Sequence, residues 1–196
     1  MATYQSIRYN VDYQGNAGSL MPLSLFTSDG SDATASFTSG IDSTYDEYLF
    51  IFNNIHPETD NTNFSFQVDT GTNTSYNQTM TTTFFRAVLS EADDSPSLAY
   101  VTSQDQAQGT AFQILLAGIG NDNDQSGSGF LHLYNPSSST SVKNFIARGN
   151  SLIASDQTYD NFVAGYINTT TAITRVQFKM SSDEIQGGTI GMFGVI

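Results

Sequence analysis

The sequence predicts an all-β protein, an antiparallel jelly-roll-like sandwich with an extended N-terminal arm. Three observations lead there. Apolar and polar residues alternate at period two along short runs, as they do on half-buried strands. Clusters of Gly, Asn, Asp, Ser and Pro punctuate those runs. Helical periodicity is nearly absent, residues 100–108 being the one stretch that reads as a short helical turn.

The chain divides into residues 1–40, an extended arm or first strand, and residues 41–196, the sandwich domain. The first forty residues carry Gly15, Gly18, Gly30 and Gly40 among Ser and Thr, with little periodicity. An apolar island, Leu20-Met21-Pro22-Leu23-Ser24-Leu25-Phe26, interrupts them. It is expected to dock on the main domain, since it would otherwise expose apolar surface. Residues 48–55 are apolar on both faces, which suits a strand buried on two sides. Residues 63–68 alternate, with Phe64, Phe66 and Val68 on one face. Residues 130–134 and 173–180 are further strands. In the second, Val176, Phe178 and Met180 point inward while Arg175, Gln177 and Lys179 face water. Residues 189–195 read as a closing strand whose glycines allow close packing or a bulge. Turn-rich loops fall at 56–61, 69–73, 91–96, 118–129, 135–141 and 181–188. Spacing of this kind implies about nine or ten strands.

Composition removes several function classes. Six Lys and Arg stand against 19 Asp and Glu, a formal charge of -13. Binding a phosphate backbone needs clustered cations to displace counterions, so no nucleic-acid partner is expected. The chain has no cysteine. Disulfides, thiolate zinc sites and cysteine nucleophiles are therefore excluded. Charged residues make up 13% of the chain. Ordinary soluble domains hold about 25%, so Ser, Thr, Asn, Gln and Gly supply the polarity here. The first thirteen residues lack a basic region followed by an apolar run, so no signal peptide is expected. No stretch approaches the ~20 apolar residues of a membrane span, so no membrane association is expected either. The sequons at Asn63, Asn73, Asn77 and Asn168 read as by-products of Asn and Thr richness.

Candidate chemistry is sparse. His132 lies between Leu131 and Leu133, hence on the opposite strand face, where one imidazole without a partner makes no triad or metal site. His56 precedes Pro57, with Glu58 and Asp60 close by, but the spacing matches no ligand pattern and turns favour such residues. The run Gly118-Ile119-Gly120-Asn121-Asp122-Asn123-Asp124-Gln125 supplies hard oxygens of the kind calcium takes. It lacks the downstream bidentate Glu of an EF-hand loop and reads as polar turn chemistry. Gly118-x-Gly120 has no third Gly or Lys to cradle a phosphate. Asp46 with Glu47, and Asp93 with Asp94, are carboxylates beside a strand and in a loop. Glycosidase chemistry needs two carboxylates facing each other across a cleft, and nothing singles out such a pair. Neither a Gly-x-Ser-x-Gly elbow nor a Ser-x-x-Lys motif occurs. The expectation is a protein that is not an enzyme, with no catalytic, cofactor-binding or metal-binding residue assigned. Tyr4, Tyr9, Tyr13, Tyr76 and Tyr159 sit in polar surroundings, available to a protein interface or a sugar ring. Absence of Trp favours the interface.

One resemblance adds to this reading. The run Ser36-Phe37-Thr38-Ser39-Gly40-Ile41-Asp42-Ser43-Thr44-Tyr45-Asp46-Glu47-Tyr48, leading into Phe52-Asn53-Asn54-Ile55-His56-Pro57-Glu58-Thr59-Asp60-Asn61, carries it first. Gly120-Asn121-Asp122-Asn123-Asp124, Gly129-Phe130-Leu131-His132-Leu133-Tyr134-Asn135-Pro136-Ser137-Ser138, Phe162-Val163-Ala164-Gly165-Tyr166-Ile167-Asn168-Thr169-Thr170-Thr171-Ala172-Ile173-Thr174-Arg175, Phe178-Lys179-Met180-Ser181-Ser182 and Gly188-Thr189-Ile190 continue it. Over residues 36–196 the chain resembles small β-rich virion structural proteins of marine tailed bacteriophages, of cyanophage and pelagiphage type. The resemblance implies no catalytic residue. It implies a non-enzymatic virion protein, assembled in the host cytoplasm, that decorates or cements the capsid exterior. The alternative is a tail or head fibre subunit that binds a host surface glycan. The expected partners are the major capsid protein or other virion proteins, together with further copies of the chain, a trimer being favoured. In that setting residues 1–40 would anchor the subunit, and removal of residues 1–26 should leave a folded domain that no longer binds.

Overall fold

The computed structural model describes residues 20–94 and 96–196. They form thirteen strands: β1 (Leu20–Thr27), β2 (Ala35–Phe37), β3 (Glu47–Pro57), β4 (Thr62–Thr70), β5 (Met80–Ser90), β6 (Ser97–Tyr100), β7 (Ala107–Gly109), β8 (Gln113–Ile119), β9 (Gly127–Tyr134), β10 (Lys143–Ile153), β11 (Gln157–Ile167), β12 (Ile173–Met180) and β13 (Ile185–Val195). Four antiparallel pairs distant in sequence set the topology: β1 with β13, β2 with β12, β3 with β9, and β4 with β8. Together they are one long hairpin wrapped on itself, its pairs falling alternately into two layers. β13 then joins β3, and β12 joins β4. The resulting sheets run β1-β13-β3-β9 and β2-β12-β4-β8, the strand order of a jelly roll.

The remaining strands extend the first sheet. β10 pairs with β9, β11 with β10, β5 with β11, and β6 and β7 with β5. A single bridge from Ile153 to Ile119 joins β10 to β8 and links the sheets at one corner. β10 and β11 are joined by three residues, with Asp156 at φ 56° and its N–H donating to Ile153 O at 3.0 Å. Such a left-handed third residue matches the twist of a three-residue hairpin loop.

The apolar island at residues 20–26 docks as β1, on the outer edge of the first sheet. An edge strand can hold Pro22, whose nitrogen has no proton for a ladder, and the register shifts at that point. Residues 1–19, with Tyr4, Tyr9 and Tyr13, lie outside the described residues.

Between the layers sits a cluster of phenylalanine rings. Phe178 of β12 stacks on Phe64 at 5.5 Å and meets Phe50 at 5.4 Å, Phe37 at 6.0 Å and Phe66 at 6.3 Å. Phe52 meets Phe64 at 5.3 Å, and Phe145 meets Phe66 at 5.0 Å. Rings from β3 and β10 thus face rings from β2, β4 and β12.

Three expectations change. The strands number thirteen, because β5 to β7 and β10 to β11 add to the wrapped core. Residues 100–108 form no helix: β6 ends at Tyr100, Gln104 N–H closes one turn onto Val101 O at 3.1 Å, and β7 starts at Ala107. Thr82 N–H captures Gln106 O at 2.8 Å, so the edge of β5 takes the hydrogen bonds a helix would have used. The second face of β4 is buried as well, since Gln67 Nε2 donates to the carbonyls of Gln78, Thr110 and Ala111 at 3.0 to 3.2 Å. The connections on either side of β5 cover it.

Phe178 touches four rings in both layers, and its removal leaves a cavity that neither sheet can close alone. Phe178→Ala is expected to lose about 3–5 kcal/mol of unfolding free energy in urea titration, at unchanged strand content by circular dichroism.

Candidate interaction surface

In the extended first sheet, side chains alternate between the sandwich interior and the outside. The outside row is read from the ladder registers. It runs from Leu49, itself buried by its neighbours, and Ile51 through Phe130 and His132, Ile146 and Arg148, Phe162 and Ala164, Phe85 and Leu89, to Leu98 and Tyr100. Phe193 on β13 and Leu25 on β1 continue it to the opposite edge. Phe85 is 38% exposed, Ile146 50%, Leu25 69% and Leu98 71%. Water-facing strand positions on a sandwich are normally polar, so a row of this length makes the face a candidate interaction surface.

Aromatic stacking organises its centre. Phe85 and Phe162 stack at 4.7 Å with their planes 4° apart. The Arg148 guanidinium lies 4.5 Å over Phe162, and Asp160 accepts from its Nε at 3.0 Å and its Nη2 at 2.7 Å. That carboxylate holds the guanidinium above its ordinary pKa range. A largely apolar depression of about 270 Å³ lies among Phe85, Phe130, Ile146 and Phe162. Beside it, Ser128, Asn150 and Asp160 border an open, mixed trough of about 310 Å³ against Phe130. His132 stands on this face, its Nδ1 against Glu47 Oε1 and its ring stacked on Tyr134 at 6.0 Å. It is a half-buried, hydrogen-bonded residue of the surface. Asp160 and Glu47 are the carboxylates on the row, and Asp105 at its rim accepts from Tyr100 OH at 2.6 Å.

The other weighed residues fall elsewhere. His56 Nδ1 pairs with Gln125 O at 2.7 Å. Asn121 ties its loop to the neighbouring turn, its Nδ2 donating to Glu58 O at 2.9 Å and its N–H to Asp60 Oδ1 at 3.2 Å. Among the described residues no three His, Asp or Glu converge as metal ligands. Asp46 accepts at its backbone oxygen from Asn135 N–H at 2.6 Å, and Asp93 sits in a turn with φ 56°. Tyr76, expected in polar surroundings, is buried at φ 46°, its N–H donating to Asp69 Oδ2 at 2.8 Å. Asp69 also accepts from Thr70, Asn73 and Gln78 and folds the loop inward, which buries the tyrosine. Tyr159 lies under the Arg86 guanidinium at 4.1 Å.

The loops at one end of the sandwich meet one another. Glu58 N–H donates to Glu184 O, Ile185 N–H to Asp32 O, and Glu91 N–H to Asp156 O, while Gln125 Nε2 reaches Asp156. This end gathers Asp29, Asp32, Glu58, Asp60, Glu91, Asp93, Asp94, Asp122, Asp124, Asp156, Asp183 and Glu184, twelve of the 19 acidic residues, with no Lys or Arg in these loops. The molecule has an acidic pole and a nearly neutral apolar flank.

Of the residues weighed from sequence, His132 and Glu47 lie on this flank, but the flank itself is not legible there, because the strands that carry most of it, β5, β10 and β11, alternate weakly. Ile146 and Arg148 share the outer side of β10, while Lys143 and Ser151 share the inner side with Phe145. No protein-family model, curated protein or solved structure matches the chain. The strand order alone therefore defines the class: an all-β jelly roll with an extended sheet.

Lys143 is fully buried, its Nζ donating to Thr169 O at 3.0 Å. Burial pushes its ammonium below the ordinary 10.5. The unfolded chain then holds the proton more tightly, so stability rises with pH between the depressed folded value and 10.5. Tyr48 acts oppositely: burial raises its phenol above 10.0, so the stability it contributes is lost as pH climbs past that value. The lysine contribution is isolated as the difference between wild type and Lys143→Met in urea melts from pH 7 to 11. Wild type is expected to gain on the variant until about pH 10.5 and then hold level. A difference independent of pH would show that burial leaves this lysine unperturbed.

Proposed function

We propose that the chain is a non-enzymatic structural protein of a tailed-bacteriophage virion, seated on the capsid exterior as a decoration or cement subunit. The observation that carries this reading is the apolar outer row of the extended sheet, which suits burial against protein. Three further features support it. The jelly-roll sandwich is a rigid body for assembly. The charge of -13 keeps an exterior protein soluble and off the packaged nucleic acid. The resemblance over residues 36–196 is to virion proteins of marine phages. Its mechanism is burial of apolar area between neighbouring subunits, which stabilises the assembled shell by mass action.

A second reading, a tail or head fibre subunit that binds a host glycan, has one observation in its favour. The trough of Ser128, Asn150 and Asp160 sets hydrogen-bonding groups beside the Phe130 ring, as sugar recognition requires.

Quantitative mass spectrometry of purified particles separates the two. Copy numbers comparable to the major capsid protein are expected. Far fewer copies would favour the fibre, and absence from the particle would refute a virion role altogether. The arm is tested by truncation at residue 19, because a cut at 26 removes most of β1 and bares the edge of β13. The 20–196 chain keeps all thirteen strands and is expected to lose particle binding. Retained binding would put the anchor elsewhere.

A further inference from the structure

We infer that the outer face of the extended sheet pairs with the same face of a second copy of this chain. The inference rests on reading that face as a protein interface and names its occupant. Three observations point to a second copy.

The first is area. The apolar row crosses seven strands, from β13 through β3, β9, β10, β11 and β5 to β6. At about 4.8 Å between strands and roughly 25 Å of strand length, the face covers roughly 800 Å². Stable pairs bury about 800 Å² on each partner.

The second is shape. Two sheets pack about 10 Å apart when side chains of one enter gaps of the other. This face has both parts: the depression among Phe85, Phe130, Ile146 and Phe162, and the projecting side chains of Leu89 and Leu98. A two-fold axis supplies each copy with the other's knobs.

The third is charge. A copy carrying -13 must approach another carrying -13. The face allows it, because Asp160 is neutralised by Arg148, Glu47 lies against His132, and twelve acids gather at one end of the strands. Repulsion between poles also fixes the orientation. A two-fold axis running across the strands sets the paired strands antiparallel and the acidic ends apart. Eleven-residue strands such as β3 and β10 separate those ends by roughly 35 Å, several screening lengths at physiological salt. The arrangement is a two-copy assembly rather than the trimer that the sequence-based expectation favours.

The test uses the purified full chain without particles. Light scattering behind size exclusion, at about 50 µM, is expected to give twice the 21.2 kDa chain mass. Ile146→Lys and Leu98→Lys, made separately at exposed positions, are each expected to return the mass to one chain with an unchanged melting midpoint. Ser139→Lys, in the exposed loop after β9, is the charge-matched control and should stay paired. A wild-type monomer, a three-copy mass, or a pair that both variants leave intact would each overturn the inference. Failure here leaves particle binding to be scored separately by mass spectrometry. A pair that is absent from particles would instead sink the virion role and keep the interface.

Discussion

Everything in this molecule depends on filling the gap between two sheets with phenylalanine. The chain has no cysteine for a disulfide and few ion pairs among the described residues, so cohesion comes from buried apolar area and hydrogen bonds. Sheets about 10 Å apart leave room for one interdigitated layer of large side chains. Phe37, Phe64, Phe66 and Phe178 rise from one sheet, and Phe50, Phe52 and Phe145 from the other. Phe52 and, from the facing sheet, Leu116 fill the space above two neighbouring strands of the first sheet, which carry bare backbone there. Gly129 and Gly149 pair directly, and a Cβ on either would collide, at 2.7 Å with Phe52 Cε2 for Gly129 and at 2.4 Å with Leu116 Cδ2 for Gly149. Large rings and bare backbone are thus two halves of one packing solution.

The wrapped hairpin that brings those rings together also decides where extra strands can go. β1 and β2 occupy the far edges of their sheets, so the strands inserted after β4 and β9 add beyond β9 and lengthen only the first sheet. Its interior side then outgrows the four-stranded partner. Hydrogen bonds from glutamines close the shortfall: Gln113 Nε2 reaches Gln104 O at 3.0 Å, its Oε1 accepts from Thr82 Oγ1 at 2.6 Å, and Gln106 Nε2 reaches Ala111 O at 3.1 Å. A buried amide that meets donors and acceptors on both sides can hold a loop over a sheet where a hydrocarbon could not. On the outside no comparable cover exists among the described residues, which is why the apolar row there is exposed.

Sequence patterning revealed the wrapped core better than the extension. β12 matches residues 173–180 at both ends, with Val176, Phe178 and Met180 buried. That clarity comes from strands with one wholly apolar side. β4 looked equally clear and misled: Ser65, Gln67 and Asp69 alternate with its phenylalanines, yet all three are buried by loops that no strand pattern announces. β10 was opaque for the opposite reason. Its inner side holds Lys143, Gly149 and Ser151 with Phe145, and its outer side holds Ile146, so neither side reads as purely apolar or polar. Residues 100–108 resembled a helical turn because a single i to i+3 turn between two short strands has the same polar, proline-free texture. The surface was illegible because it is a property of strand neighbourhood. Ile146, Phe162 and Phe85 become one patch only when β10, β11 and β5 lie side by side.

The separation of charge from apolar surface follows from the same topology. Acidic residues concentrate in loops, where Asp and Asn stabilise turns, and wrapping a hairpin brings alternate loops to the same end. Twelve carboxylates thereby share one pole through the course of the chain, with no need for a ligand there. Strand residues on the flank are spared, and the acids present are held by Arg148, His132 and Tyr100. Electrostatic repulsion acts at the screening length of about 8–10 Å, whereas apolar burial acts at contact. A partner that meets the flank while keeping clear of the pole satisfies both ranges. Any neighbour in register with the pole must either carry positive charge or stand off. The fold therefore restricts the directions from which this molecule can be approached before any specific contact is made.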